Sequence, residues 1–177
     1  EGARPWVFVS QTQAREACAK AGKRLPTNKE WLSASLGTPD KQDDWNESDC
    51  HVSENWKEQP GFTGSGVSCV SSFGVFDMIG NVWEWTDEVI KDGKLNNEDL
   101  PEQGFVYEAG DDGIALETSS QGTEAYNDDY FWIKKTGTRG LARGGFWSNK
   151  VEAGVYSVYL VSPPSFTGTG VGFRCVK

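Results

Sequence analysis

Residues 143–177 read RGGFWSNKVEAGVYSVYLVSPPSFTGTGVGFRCVK. Two kinds of position are interleaved here. Arg143-Gly144-Gly145, Trp147, Ala153-Gly154, Val158, Leu160, Pro164 and Gly172-Phe173-Arg174 form a frame of glycine, proline, apolar and arginine residues. Phe146, Ser148, Ser157, Tyr159, Val161, Ser162, Phe166, Gly168 and Gly170 are set into that frame with no pattern of size or polarity. A strand over Val155–Val161 would send alternate side chains to opposite faces. It places Tyr156, Val158 and Leu160 inward, and Ser157, Tyr159 and Val161 outward. Phe146 and Ser148 likewise flank Trp147 on the opposite side. Frame inward and inserts outward is what a tolerant binding surface needs, because core positions punish changes of volume. An ordinary half-buried strand gives the same alternation by chance.

A second stretch, Phe73 to Thr86, reads FGVFDMIGNVWEWT. Gly80-Asn81 is a turn signal. Val82, Glu84 and Thr86 alternate with Trp83 and Trp85, so a strand would place both indoles on one face, as a buried pair. Glu84 between them reads as a paired carboxylate or a metal ligand. Two capping boxes precede this stretch. Ser10-Gln11-Thr12-Gln13 opens a helix with Ala14, Ala17, Cys18 and Ala21 on one side and Gly22 as its stop. Thr27-Asn28-Lys29-Glu30 opens another, which carries Trp31, Ala34 and Ser35 and ends at Leu36-Gly37-Thr38-Pro39. Pro5 to Val9 reads as a short apolar strand. Glu88 to Thr138 is polar and Gly-rich and reads as a loop-rich insertion of hairpins, with strands at Phe105-Val106-Tyr107 and Tyr130–Ile133.

A chain of 177 residues makes one domain over residues 1–177 the expectation. The net charge of -9 disfavours an electrostatic grip on nucleic acid or an anionic membrane. No apolar run is long enough to span a bilayer, so no membrane insertion by this domain is expected. The first residue is Glu1 rather than Met, which leaves room for a removed leader or a longer N-terminal part. Many glycines beside 8 Trp, 9 Phe and 5 Tyr suggest ordered loops packed around rings. His51 stands alone, so a His-rich metal centre is excluded.

The four cysteines show no CxxC spacing and allow three pairings. Cys18–Cys175, tying the first helix to the last strand, and Cys50–Cys69, closing a loop, are the favoured pairs. They imply an oxidising or extracellular setting; four buried thiols in a reducing cell are the other reading. Asp43, Asp44, Glu47 and Asp49 are a candidate calcium cluster, but they lack the spacing of an EF-hand loop, and a solvated loop is the better reading. Asn46-Glu47-Ser48 matches a glycosylation acceptor.

The run Gly22–Trp31 (GKRLPTNKEW), the run Phe76–Trp85 (FDMIGNVWEW), Arg143-Gly144-Gly145 and Gly172-Phe173-Arg174 together resemble the formylglycine-generating-enzyme superfamily of sulfatase-modifying factors. The resemblance runs through most of the chain and is weakest over 88–138. It implies an α+β fold: the C-type lectin fold in its formylglycine-generating variant, with two short helices, small antiparallel sheets and long ordered loops. The ending further resembles the variable proteins of diversity-generating retroelements, whose templates follow a frame such as RGGSWNNG…AGVF…LNNAPSNTNTNVGFR. In such systems adenines of a template repeat are copied with errors, so AAY codons become NNY. NNY codons do not encode Lys, Glu, Gln, Met or Trp. All nine inserts are compatible with that rule, while Lys150 and Glu152 are not.

This resemblance implies a variable region over about 143–174. Phe146, Ser148, Ser157, Tyr159, Val161, Ser162, Phe166, Gly168 and Gly170 would contact a protein or glycan ligand on a target surface, from a virion or cell surface facing outward. Catalysis is not implied. The oxidases of the family need a copper-binding cysteine pair near the C-terminal groove, and residues 148–166 hold no cysteine. The iron-dependent relatives need a His triad, which His51 alone does not supply. No catalytic residue, metal ligand or cofactor is therefore expected, calcium being the one candidate. A calcium-dependent lectin is the alternative, weakened by the lack of a Glu-Pro-Asn tripeptide.

Overall fold

Both capping boxes form. Ser10 accepts from the Gln13 amide and starts helix α1, Gln11–Lys20; Thr27 accepts from Glu30 and starts α2, Asn28–Ser35. The computed structural model describes residues 2–177, so Glu1, where the expectation of a removed leader rests, lies outside the described residues. Nine strands follow the helices: β1 Trp83–Lys91, β2 Lys94–Leu95, β3 Glu98–Asp99, β4 Gly104–Ala109, β5 Ala115–Ser119, β6 Tyr130–Ile133, β7 Thr138–Arg143, β8 Val158–Leu160 and β9 Val171–Phe173. They lie in the order β3-β2-β1-β7-β8-β6-β4-β5, with β9 parallel to β1. This is the α+β, C-type lectin arrangement that the motifs lead one to expect: two helices against a curled, mostly antiparallel sheet. Among the described residues no helix is long and apolar enough to cross a membrane.

The strand register sorts side chains into two rows. Trp85, Ala142, Tyr159 and Trp132 are neighbours across β1, β7, β8 and β6. This face packs on Ala14 and Cys18 of α1, with Val9, Leu25, Trp83 and Val171. One residue along, Glu84, Arg143, Val158 and Phe131 are neighbours on the other face. There Phe131, Ile133, Val158 and Leu160 join Ile90, Val106 and Leu141 in a second cluster. The segment 88–138 does contain hairpins, and it also supplies Val106, Phe131 and Ile133 to this core.

Disulfides join Cys18 to Cys175 and Cys50 to Cys69. The first joins α1 to the segment just beyond β9. The Pro5–Val9 strand does not form. Phe8 adopts φ 55, which breaks an extended run, and its amide donates to the Gly168 carbonyl at 2.9 Å. Val9 is buried, while Trp6 and Phe8 are exposed. Ala21, expected on the buried side of α1, is also exposed. Gln11, buried and unremarked in the sequence, docks α1 on β1. Its Nε2 donates to the carbonyls of Thr86 and Glu88 at 2.8 and 2.7 Å.

Glu84 is a paired carboxylate. Arg174 donates to both of its oxygens, and Trp31 Nε1 donates to Oε2 at 2.7 Å. Arg174 Nη2 also reaches the Phe76 carbonyl at 3.1 Å. Breaking a buried pair leaves its partner charge unmatched. Glu84→Gln is expected to destabilise the fold by about 3 kcal/mol, read as a lower urea midpoint at unchanged slope.

Candidate ligand-binding surface

Arg143-Gly144-Gly145 turns the chain out of β7. Gly144 and Gly145 have φ of 91° and 84°. A Cβ on Gly144 would stand 2.6 Å from the Met78 carbonyl oxygen and 2.9 Å from the Trp31 ring. Only glycine fits that double constraint. The Gly144 carbonyl accepts from the Gly80 amide at 2.9 Å, so the turn is tied to the Gly80-Asn81 turn. From here the chain delivers Phe146 to the face carrying Tyr159.

Phe146, Tyr159, Phe166, Gly168 and Gly170 come together. With Trp83, Thr169 and Val171 they line one open groove of about 260 Å³. Trp83 lies beneath it, with its ring centroid 5.5 Å from Tyr159 and 5.3 Å edge-on from Trp132. Phe166 is the most exposed of the aromatic inserts, at 40%. No charged side chain lines the groove. Ser148 stands apart and donates to Glu54 Oε1 at 3.1 Å; Val161 is half-buried outside the groove lining. Trp83, Thr169 and Val171 were not among the expected contact residues. Thr169 sits between two inserts, and Trp83 had been read as core alone.

Two inserts are buried: Ser157, which the pleat reading places outward, and Ser162, expected among the contact residues. Strand β8 covers only Val158–Leu160, so alternation does not extend back to Ser157, which follows a turn. Val158 and Leu160 are fully buried, and so is Ser157. Ser162 is buried too, with its hydroxyl 2.8 Å from that of Tyr159.

Ser157 Oγ lies 2.5 Å from the Glu152 carbonyl and 3.1 Å from Asp129 Oδ1. One hydroxyl proton serves one of these acceptors. A protonated Asp129 resolves the conflict by donating to Ser157 Oγ, while its Oδ2 accepts from the Tyr156 amide at 2.6 Å. Burial pushes the Asp129 carboxyl well above its ordinary range, and the neighbouring Asp40 pushes it further. Burial likewise lifts Asp40 to about 7. Both carboxylates press on one glycine, since a Cβ on Gly154 would collide with each. Arg143 is fully buried, donates to the Gly113 carbonyl at 3.1 Å and lies over Trp31 at 5.2 Å. Burial lowers its pKa to about 10, opposed by nearby carboxylates, Asp112 and Glu88 among them.

The candidate calcium cluster does not assemble. Asp43, Asp44 and Glu47 are exposed, while Asp49 turns inward to Lys41 at 2.8 Å and to Asn46. The Asn46 side chain is itself engaged with Ser48 and Asp49. His51 is buried and stacked on Trp56 at 4.6 Å, away from the groove. All four cysteine sulfurs are in disulfides.

The whole chain, residues 1–177, matches the sulfatase-modifying factor enzyme 1-like domain. It belongs to that family. An "Inactive C-alpha-formylglycine-generating enzyme 2" from Bos taurus is 39% identical over 101 residues, which span 46% of this chain and 32% of that relative. The chain thus covers about a third of the length of the curated relatives it matches, among them proteins named formylglycine-generating enzyme. Among solved structures, the "Major Tropism Determinant U1 Variant" is similar with a TM-score of 0.55 at 20% identity, over 94% of this chain and 36% of that one. "Treponema denticola variable protein 1" is similar with a TM-score of 0.57 at 17% identity, over 98% of this chain and 67% of that one. At these identities the likeness is one of fold.

The acid pair sets a pH dependence. An unfolded Asp titrates near 3.9, so through the interval up to about 7 the folded state holds more protons than the unfolded one. The stability linked to Asp40 is therefore fully present below the unfolded value and is lost as pH rises through about 7. Asp40→Asn is expected to flatten that fall and raise Tm at pH 8 while changing little at pH 4. Thermal unfolding of both proteins at the two pH values checks it.

Proposed function

We propose that this chain is a ligand-recognition module whose C-terminal surface is diversified by a retroelement and displayed on a fixed C-type lectin scaffold. The observation that carries the reading is convergence. Five of the nine inserts, drawn from separate segments between residues 146 and 170, line one groove. The frame residues Arg143, Ala153, Val158 and Leu160 are fully buried. Solved proteins of this fold include one titled a variable protein and several titled variants of a tropism determinant, which supports the reading by analogy of fold.

Recognition here needs no chemistry. No cysteine, histidine or carboxylate lines the groove; its side-chain polar groups are the hydroxyls of Tyr159 and Thr169. Phe146, Tyr159 and Phe166 offer rigid contact area at low entropy cost, as aromatic residues do in antibody paratopes. The partner is a protein or glycan on a target surface. Two disulfides fit display outside a reducing compartment, on a virion or cell surface.

The decisive test is the DNA downstream of the coding sequence. A near-copy of the stretch encoding 143–174, differing at adenines and beside a reverse transcriptase gene, is expected. Its absence from a complete genome overturns diversification by this route. The protein itself supplies a second check. Phe166→Ser is expected to leave stability within about 0.5 kcal/mol, as for most surface substitutions. Ser157→Ala strips a buried acid of its partner and is expected to cost about 1–3 kcal/mol. Equal losses in thermal unfolding would contradict the division between exchangeable and structural inserts.

A further inference from the structure

Two glycines of the groove are each covered by an aromatic ring. A Cβ on Gly170 would stand 3.1 Å from Phe146 Cδ2 and 3.7 Å from its Cε2 and Cγ. A Cβ on Gly168 would stand 2.9 Å from Phe166 Cζ and 3.1 Å from Cε1. Neither glycine has a left-handed backbone, so the backbone admits other residues at both positions. The three nearest obstacles to a Cβ at Gly170 all belong to the Phe146 ring, and those at Gly168 to the Phe166 ring. Such a ring is the movable end of a side chain with two torsions, and it yields by changing rotamer. Gly144 contrasts with both, because its obstacles include backbone and its φ is 91°.

The other groove residues restrict what enters. The floor, Trp83, is 7% exposed and wedged between Trp132 and Tyr159. The Tyr159 hydroxyl already shares a hydrogen bond with Ser162 at 2.8 Å, so the lining offers few free polar groups beyond the hydroxyl of Thr169. A sugar ring carries hydroxyls around its edge and loses free energy for each one buried without a partner. A hydrocarbon side chain has no such requirement. The lining is uncharged on a chain of net charge -9, so a neutral group is the complementary occupant. A groove of about 260 Å³ is small beside pockets for drug-sized ligands and suits one large side chain.

We propose that the groove is a socket for a single large apolar side chain of a protein partner, its depth set by two ring-on-glycine pairs, Phe146 with Gly170 and Phe166 with Gly168. The proposal rests on reading this face as the recognition surface and names its partner. Positions 168 and 170 then act as size selectors. Any side chain placed there drives the covering ring into the socket and closes it. Exchange at one member of a pair changes what exchange at the other does.

The test uses the full chain and nitrogen-15 NMR. N-acetyl-phenylalanine amide is titrated as the side-chain probe and methyl α-mannoside as the sugar probe. The Trp83 indole N–H and the amides of Gly168 and Gly170 are followed. The amide probe is expected to shift all three saturably, and the mannoside to shift none. Gly170→Val is expected to weaken the amide probe roughly tenfold, in line with the cost of overpacking. Adding Phe146→Ala to Gly170→Val is expected to restore at least half of that loss, a non-additive cycle. Gly168→Ala with Phe166→Ala forms a second cycle should Gly170→Val fail to fold. Saturable shifts from the mannoside alone, or additive effects in the cycle that folds, overturn the socket. An absent DNA template removes retroelement diversification and leaves this result standing, so the two failures are distinguishable.

Discussion

Glu84 sits at the middle of the structure and is the contact on which the rest depends. Its carboxylate takes two bonds from Arg174 and one from the Trp31 indole, while Arg174 also reaches the Phe76 carbonyl. Four separate pieces of chain are therefore joined through this ion pair: α2, the segment at Phe76, β1 and the residue just beyond β9. A charged pair taken out of water is tolerated only when its hydrogen-bonding capacity is filled, and here it is. Cys175, next to Arg174, is bonded to Cys18 of α1. The chain end is thereby held twice, by an ion pair and by a covalent link.

That double hold explains how the loop between β8 and β9 can carry changeable residues. Residues 161–170 contain no helix or strand and carry two hydrophobic inserts, the half-buried Val161 and the exposed Phe166. Their position follows from their ends. Val158 and Leu160 are buried on one side of the loop, and Val171 is buried on the other. The backbone contributes as well, since Gly168 accepts from the Phe8 amide and Pro164 from the Gln11 amide. Backbone bonds do not depend on side-chain identity. A loop placed by its ends and by its own amides and carbonyls can change side chains without changing course.

Local signals were legible and long-range ones were not. Ser10 with Gln13, and Thr27 with Glu30, announce their helices because a capping box is complete within four residues. Trp83 and Trp85 on one face follow from the pleat alone, as do the strands around Phe105 and Tyr130. The lost Pro5–Val9 strand shows the limit. Its apolar run is real, but its backbone bonds lead to the loop near Gly168 rather than to a sheet edge. The partnership of Glu84 with Arg174 spans ninety residues, and nothing near either one announces it. In the groove, the inserts were legible from the frame around them, whereas Trp83 entered the lining only through the packing of β1 against β8 and β6.

The buried serines divide the nine inserts by physics rather than by sequence. A surface position changes at little cost to folding when its side chain is exposed and makes no buried polar contact, and Phe166 is such a position. Ser157 does not. Its hydroxyl lies between the Glu152 carbonyl and Asp129, a carboxyl whose pKa burial and Asp40 push upward. A larger residue there has no space, and an apolar one leaves Asp129 facing nothing. If these positions vary as proposed, exchange at 157 is coupled to folding, while exchange at 146, 166, 168 and 170 acts mainly on the shape of the groove. A protein under selection for both stability and novelty would be expected to accept change at the second set more often than at the first. On the proposed reading, variation at 157 is filtered by its contact with Asp129 before any ligand is met.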